Sequence, residues 1–325
     1  MNIKFNNVYL KSCAVIGGKI EYEGPLSKYF DDYYDVKTCD FDQEEVDLVN
    51  KTINYLLRKI GLTLKDIDLL IGGDLSNQLA ISSYAVANLN VPNIGVYSAC
   101  STVCLAIGLS AMFVNNSNVS NVIAYTSSFN QVAEKQFRNP VEYGGYKVET
   151  NTYTSTIGGC CLISKELSNI KINSFTIGKV IDVGFKDVND FGRAMAPAAI
   201  ETLISHFKST NTKPSNYDLI LTGDLSKYGH KIVKEVLEEE YGIIDNYNDC
   251  GLMIYDLNHQ KVNAGGSGPG TAAGVLFGYV WKSMLNNKYK KVLLCATGVL
   301  MNPTMVNLGK SLPCIAHVIE LERMK

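Results

Sequence analysis

Cys100 sits in the run Asn93-Ile-Gly-Val-Tyr-Ser-Ala-Cys-Ser-Thr-Val-Cys-Leu-Ala-Ile-Gly-Leu-Ser-Ala-Met-Phe-Val114: a short apolar strand, a small-residue turn and an uncharged helix. A thiol at a helix start meets the positive end of the helix dipole, which favours thiolate and nucleophilic chemistry. The competing reading is a small apolar core residue, because free cysteine is among the most buried residue types. A second small-residue turn, Gly265-Gly-Ser-Gly-Pro-Gly270, precedes another uncharged stretch. It lacks the Lys-Ser/Thr of a phosphate loop and the third glycine and acidic residue of a dinucleotide fingerprint. Its glycines suit close approach of two buried helices. Backbone amides at Gly266-Ser267-Gly268, like those at Cys100-Ser101-Thr102, make good carboxylate seats.

Arginine is the side chain fitted to a carboxylate. Arg138 stands in a loop with Tyr143, Gly144 and Gly145, and Arg193 stands beside Gly192. Each reads equally as a solvated arginine or one paired with Glu134, Glu142 or Asp190. Asp74 and Asp224 both follow glycine and precede Leu-Ser, as helix N-cap aspartates do. His230 opens the helix after Asp224, where a capping or surface role competes with a place in a pocket. His206 and His259 read as exposed, and His317 as a satisfied residue of the last strand.

These residues need a frame. The chain has 325 residues, 46% hydrophobic and 19% charged, with a formal net charge of -2. That is a globular composition, long enough for one large layered unit or two domains. The balance of charge and the lack of a basic run argue against nucleic-acid binding. The first residues lack the basic-then-apolar order of a signal peptide, and Ala99 to Val114 falls short of a membrane span. Nine cysteines, an odd number with no Cys-x-x-Cys pair, suggest reduced thiols in a cytosolic-type compartment and no structural zinc. No resident cofactor or metal is expected.

Val46, Val49, Ile53, Leu56, Leu57 and Ile60 recur at helical spacing, predicting a helix over 42–60 capped by Gly61. Strands are predicted at 68–71, 122–126 and 154–163, with a helix over 77–88. From Leu75 to Ala133 there is no charged residue and no histidine. So long an uncharged segment implies central elements and a face covered by another subunit. Tyr217-Asp-Leu-Ile-Leu-Thr-Gly-Asp-Leu-Ser repeats Ile67-Asp-Leu-Leu-Ile-Gly-Gly-Asp-Leu-Ser 150 positions further on. The Gly265 turn with its uncharged helix then follows, and Val292-Leu-Leu-Cys-Ala-Thr-Gly echoes Val122-Ile-Ala-Tyr-Thr-Ser-Ser. Three matched elements in one order make an internal duplication. The pattern is α/β, with helices on both faces of crossover-connected sheets. The two halves are placed at 1–165 and 166–325.

A duplicated α/β chain burying one apolar helix per half, with a cysteine at the first helix start, resembles the thiolase fold, a five-layered α-β-α-β-α stack of two pseudo-symmetric halves. Gly73-Asp-Leu-Ser-Asn-Gln78, Ala99-Cys-Ser-Thr102, Ala133-Glu-Lys-Gln-Phe-Arg138, Ala194-Met-Ala-Pro-Ala-Ala199, Leu221-Thr-Gly-Asp-Leu-Ser226, Asp249-Cys-Gly251 and Ala264-Gly-Gly-Ser-Gly268 narrow the resemblance to the stage V sporulation protein AD family. As a set these motifs are specific and cover nearly the whole chain. The resemblance implies a homodimeric protein, peripheral at the spore inner membrane. It would work there with other stage V sporulation A proteins, binding dipicolinic acid and aiding its uptake into the developing spore.

Condensing enzymes of this fold add a His or Asn from the second half at two places, and these carry the oxyanion hole and the proton transfers. Here the two places fall at Gly223-Asp224 and Gly265-Gly266, without histidine, and the final Gly-His-Pro motif is missing. An aspartate repels an oxyanion unless protonated. The resemblance therefore implies a non-catalytic protein, with Cys100 as a vestigial nucleophile position and Cys100, Ser101, Arg138, Tyr143, Arg193, Asp224, His230, Gly266 and Ser267 as candidate ligand contacts. Asp224 suits an anionic ligand only in the company of a hard cation such as calcium. The alternatives are an acyltransferase using Cys100 and a purely structural subunit of a spore membrane complex.

Overall fold

The computed structural model describes residues 1–116, 118–137 and 147–324. The first half runs β1 (Tyr9–Gly17), α1 (Phe41–Ile60), β2 (Leu69–Gly73), α2 (Ala80–Val86), β3 (Asn93–Gly95), α3 (Thr102–Asn116), β4 (Asn121–Ser128), α4 (Asn130–Phe137) and β5 (Ile157–Ser164). The second runs β6 (Ile170–Ile177), α5 (Phe191–Thr210), β7 (Leu219–Thr222), α6 (Ser226–Tyr241), β8 (Tyr247–Asp249), a helical rod α7, β9 (Lys291–Val299) and β10 (Cys314–Arg323). The rod is α-helical over Pro269–Ala273, π-helical over Gly274–Val280 and α-helical again over Trp281–Leu285.

The strand path is β8-β7-β9-β10-β6-β1-β5-β4-β2-β3. Counted within its own half, each set of five strands lies in the order 3-2-4-5-1, so the duplication seen in the sequence is a duplication of topology. In both halves the outer three strands are parallel and the remaining pairings antiparallel. The halves join where Tyr9 of β1 pairs with Lys171 of β6 and where the short strand Asn2–Lys4 pairs antiparallel with Ser174–Thr176 of β6.

Layering follows from which helices lack a polar face. The α3 helix packs on β2 and β4 of its own half and on β9, β10 and β6 of the other, while α7 lies beside it against β1, β4 and β5. With no charged group in α3, contact with two sheets at once strands no ion. Gly108 makes the contact close: a Cβ there would lie 2.4 Å from the Phe175 ring of β6. Outside, α1 covers β1, β5 and β4, and α5 with α6 covers β9 and β10. At the α5–α6 crossing a Cβ on Gly229 would stand 2.2 Å from the Gly192 carbonyl. Among the described residues, Ala99–Asn116 is the one helix long and apolar enough to cross a membrane, and 61% of it is buried inside the fold.

The helix expected at 42–60 is α1, capped by the Asp40 side chain, which accepts from Gln43 N at 3.2 Å, and by Gly61 at φ +68. The helix expected at 77–88 is shorter. Gln78 and Leu79 take positive φ, because the Asp74 carboxylate accepts from Ser76 N at 2.6 Å and Ser82 N at 2.7 Å and sets the helix start beyond them. His206, expected at the surface, is fully buried. Its Nδ1 meets Thr176 Oγ1 at 2.8 Å and its Nε2 meets the Tyr217 hydroxyl at 2.9 Å. It lies three residues from Leu203, on the sheet-facing side of α5, and the partners there offset its desolvation.

Two glutamates are buried with few partners. Burial pushes Glu21 up to about 7 against hydrogen bonds from the Tyr255 hydroxyl and Thr156 N. Burial, then repulsion from Asp74, pushes Glu45 of α1 up to about 8, although Ser127 Oγ donates to it at 2.8 Å. A raised carboxyl keeps its proton in the folded state, so its stabilisation is present at low pH and is lost as pH rises from about 4.5 through about 8, by at most about 1.4 kcal/mol per unit. Glu45→Gln is expected to flatten the fall in stability between pH 5 and pH 8 relative to the parent chain, measured by urea unfolding at each pH. Parallel curves would show that Glu45 is ionised in the fold.

Candidate active-site cleft

The Cys100 turn is held on every side. Ala99 adopts φ +47, a left-handed conformation that lifts the chain into α3. Ser101 N and Ser101 Oγ both donate to Ser98 O, at 3.0 and 2.6 Å, and Ser98 N donates to Thr102 Oγ1 at 3.0 Å. From the other half, Gly298 of β9 lies so close that a Cβ would stand 2.5 Å from Ser98 O. His317 of β10 accepts from Gly178 N at Nδ1 (3.4 Å), which leaves Nε2–H to donate to Ser98 Oγ at 3.1 Å. Burial pushes His317 down to about 4, so the imidazole is neutral at ordinary pH.

Above this turn opens a narrow cleft. Leu75, Tyr97, Ala133 and Phe137 form its first-half wall, and Phe191, Met195, Val299 and Met301 its second-half wall. Cys100 and Ser267 line the floor, with sulfur and hydroxyl 3.9 Å apart. Directly beneath them is Asp224. Its Oδ2 accepts from Ser267 Oγ at 3.0 Å and Gly268 N at 3.1 Å, its Oδ1 from Thr297 Oγ1 at 2.8 Å, and the Cys100 thiol also donates to it.

This geometry reverses the electrostatics expected of a helix-start thiol. Burial first, and then the facing Asp224 carboxylate, push the Cys100 thiol well above its ordinary value. Removal from water and a nearby negative charge together outweigh the dipole of α3, which begins two residues later. Burial also raises Asp224, opposed by its four donors. A neutral thiol against a carboxyl is a poor nucleophile.

The two repeated aspartates have separate tasks. Asp74 orders the start of α2, as a capping aspartate does. In the second half that work belongs to Asp249, which accepts from Leu225 N (2.9 Å), Ser226 N (2.8 Å) and Gly251 N (2.9 Å). With the start of α6 already satisfied, Asp224 is free to turn under the cleft floor.

Of the candidate contacts, the structure brings Cys100, Ser267 and Asp224 together. Ser101 is next to them but turned toward Ser98. Gly266 lies behind the floor, its carbonyl accepting from Ser226 Oγ at 2.8 Å. Arg193 is outside the cleft lining, paired with Asp190 at 3.2 Å and stacked over Tyr228. His230 stacks on Tyr247 at 4.6 Å, also away from the lining. Arg138 and Tyr143 lie outside the described residues. Sequence reasoning missed Thr297, although it occupies the position of Ser127 in the repeated strand, and missed the apolar walls, whose residues come from five separate segments. Among the described residues no three His, Cys, Asp or Glu side chains cluster to hold a metal. Asp224 alone, with its lone pairs already taken, does not fit a calcium ion that asks for six to eight oxygens.

Replacing Asp224 with Asn removes the charge facing the thiol and keeps its shape. Asp224→Asn is expected to speed iodoacetamide alkylation of Cys100 at pH 8 by about tenfold for each unit its pKa falls. The rate is read by intact mass in a Cys39→Ser background, Cys39 being the exposed cysteine. An unchanged rate would mean that burial alone controls the thiol.

A family model described as Stage V sporulation protein AD matches residues 2–322 of this chain. Stage V sporulation protein AD of Bacillus subtilis (strain 168) is 41% identical over 320 residues, covering 97% of this chain and 94% of that protein. Solved structures of similar shape include cerulenin-bound OleA of Xanthomonas campestris (TM-score 0.66, 12% identity, 98% and 100% of the two chains). The 3-oxoacyl-[acyl-carrier-protein] synthase III of Aquifex aeolicus VF5 is another (TM-score 0.60, 12% identity, 97% and 99%). At such identity the likeness is one of fold, and the fold is that of the thiolase-like condensing enzymes.

Proposed function

The chain belongs to the stage V sporulation protein AD family, and from that premise we propose that it is a non-catalytic sporulation protein whose Cys100 cleft binds dipicolinic acid and aids its uptake into the developing spore. The observation that carries the non-catalytic part is the facing pair Cys100 and Asp224. At the place where a condensing enzyme of this fold presents a histidine or asparagine, this chain presents a buried carboxyl, which raises the thiol and opposes an oxyanion. Acyl transfer through Cys100, the other reading, has the left-handed Ala99 turn in its favour and this electrostatic arrangement against it.

A cleft with apolar and aromatic walls and a few polar groups at its base is of the kind that small planar ligands occupy. Arg138 follows directly on Phe137, a wall residue, and is the cation we assign to a ligand carboxylate. Because the cleft floor does not fit calcium, ligand binding is proposed to be calcium-independent. The site of action is proposed to be the spore inner membrane, alongside other stage V sporulation A proteins.

Isothermal titration with dipicolinate is expected to give saturable heat in the same range with and without calcium, and Arg138→Ala about tenfold weaker binding, the loss of one charge-assisted pair. No heat at millimolar ligand would overturn the binding reading, and unchanged affinity in the variant would remove Arg138 from the site.

We also propose a homodimer. The strand path ends at β3, which pairs with β2 along one edge only, and around that edge Tyr84 and Tyr97 are exposed within the charge-free segment. An open strand edge beside exposed aromatic side chains without charges invites pairing, and a second copy covers it most simply. Sedimentation equilibrium is expected to give a dimer at micromolar concentration and a monomer for Ile94→Asp; a monomeric parent chain would overturn this.

A further inference from the structure

The donors on the cleft floor are those that a bound carboxylate needs, and they already hold one. Thr297 Oγ1 supplies one oxygen of Asp224, and Ser267 Oγ and Gly268 N supply the other, at 2.8, 3.0 and 3.1 Å, with the Cys100 thiol as a fourth donor. Four donors on two oxygens match the acceptor capacity of a carboxylate. The arrangement does not serve the local backbone, since Asp249 satisfies the start of α6 without help from Asp224. Nor is it sealed from outside: Ser267 and Cys100 both line the cleft, while Asp224 itself is 1% exposed.

We infer that Thr297, Ser267, Gly268 and Cys100 form a carboxylate-binding subsite whose occupant in the native protein is the Asp224 side chain, an internal ligand that keeps external anions out of the cleft floor. An anionic ligand of the cleft therefore seats its carboxylates on the walls and rim. The inference stands apart from the identity of that ligand, because its test uses a different anion and a different form of the protein. Shortening Asp224 to alanine leaves a methyl group and a vacant place one carboxylate in size, which formate fills.

In the Asp224→Ala protein, formate is expected to raise the melting temperature by about 2 °C or more at ten times its dissociation constant, while chloride at equal ionic strength does not. The parent chain and Asp224→Asn, in which a side chain still fills the place, are expected not to respond. Adding Thr297→Val to Asp224→Ala is expected to abolish the response. A folded Asp224→Ala protein without a formate-specific shift, an equal shift in the parent chain, or a shift that survives Thr297→Val would each overturn the inference. If Asp224→Ala does not fold on its own, refolding yield in formate against chloride carries the same test: recovery in formate alone supports the inference, and equal yields overturn it.

Discussion

A layer of two helices without charge, clamped between two half-sheets, governs where polarity can exist in this molecule. Because α3 meets strands of both halves and α7 lies beside it, the polar groups at their starts have little access to bulk water and find most of their partners within the protein. Both helix starts lie at the floor of one cleft, and their partners come from within the second half for α7 and from across the halves for the Cys100 turn. Asp224 accepts from Ser267, Gly268 and Thr297, and His317 serves Ser98. The candidate site is thus the place where the dry central layer is allowed to be polar.

That constraint also explains why duplicated residues no longer behave alike. Asp74 and Asp224 stand in the same Gly-Asp-Leu-Ser context, and in the first half the aspartate caps a helix. In the second half a different aspartate, Asp249, does this, and Asp224 faces Cys100 instead. The chemical consequence is large. A thiol that helix geometry would acidify is held neutral by burial and by a carboxyl across a few ångströms.

Buried titratable groups outside the cleft obey the same accounting. Glu320 is held down to about 2 by hydrogen bonds from His206 and Lys291 that outweigh its burial, whereas Glu45, with one recorded donor and Asp74 nearby, moves up to about 8. The sign of each shift depends on how many donors the neighbouring strand brings, a quantity set by packing and not by the residue's own segment. His206 shows this at the level of burial. Its helical position beside Leu203 and Phe207 already pointed inward, yet its polarity argued for the surface, and only Thr176 and Tyr217 from other elements reconcile the two.

Local pattern and repetition made much of the architecture readable without coordinates: the apolar periodicity of α1, the charge-free run through α3, and a repeat 150 residues on that implied two copies of one α/β unit. These features are legible because burial writes itself into neighbouring residues at the period of the element that is buried. Cys100, Asp224 and the Ser267 turn were likewise visible, as oddities placed at equivalent points of a repeat. What the tertiary structure alone decided is what those residues do to one another. No spacing reveals that Asp249 relieves Asp224 of capping, that Thr297 completes the floor, or that Arg193 and His230 point elsewhere. Those outcomes depend on distances between groups that only the fold brings together, such as Thr297 and Asp224, 73 residues apart, and it is distance and burial, not residue type, that set whether a thiol is a nucleophile or a wall.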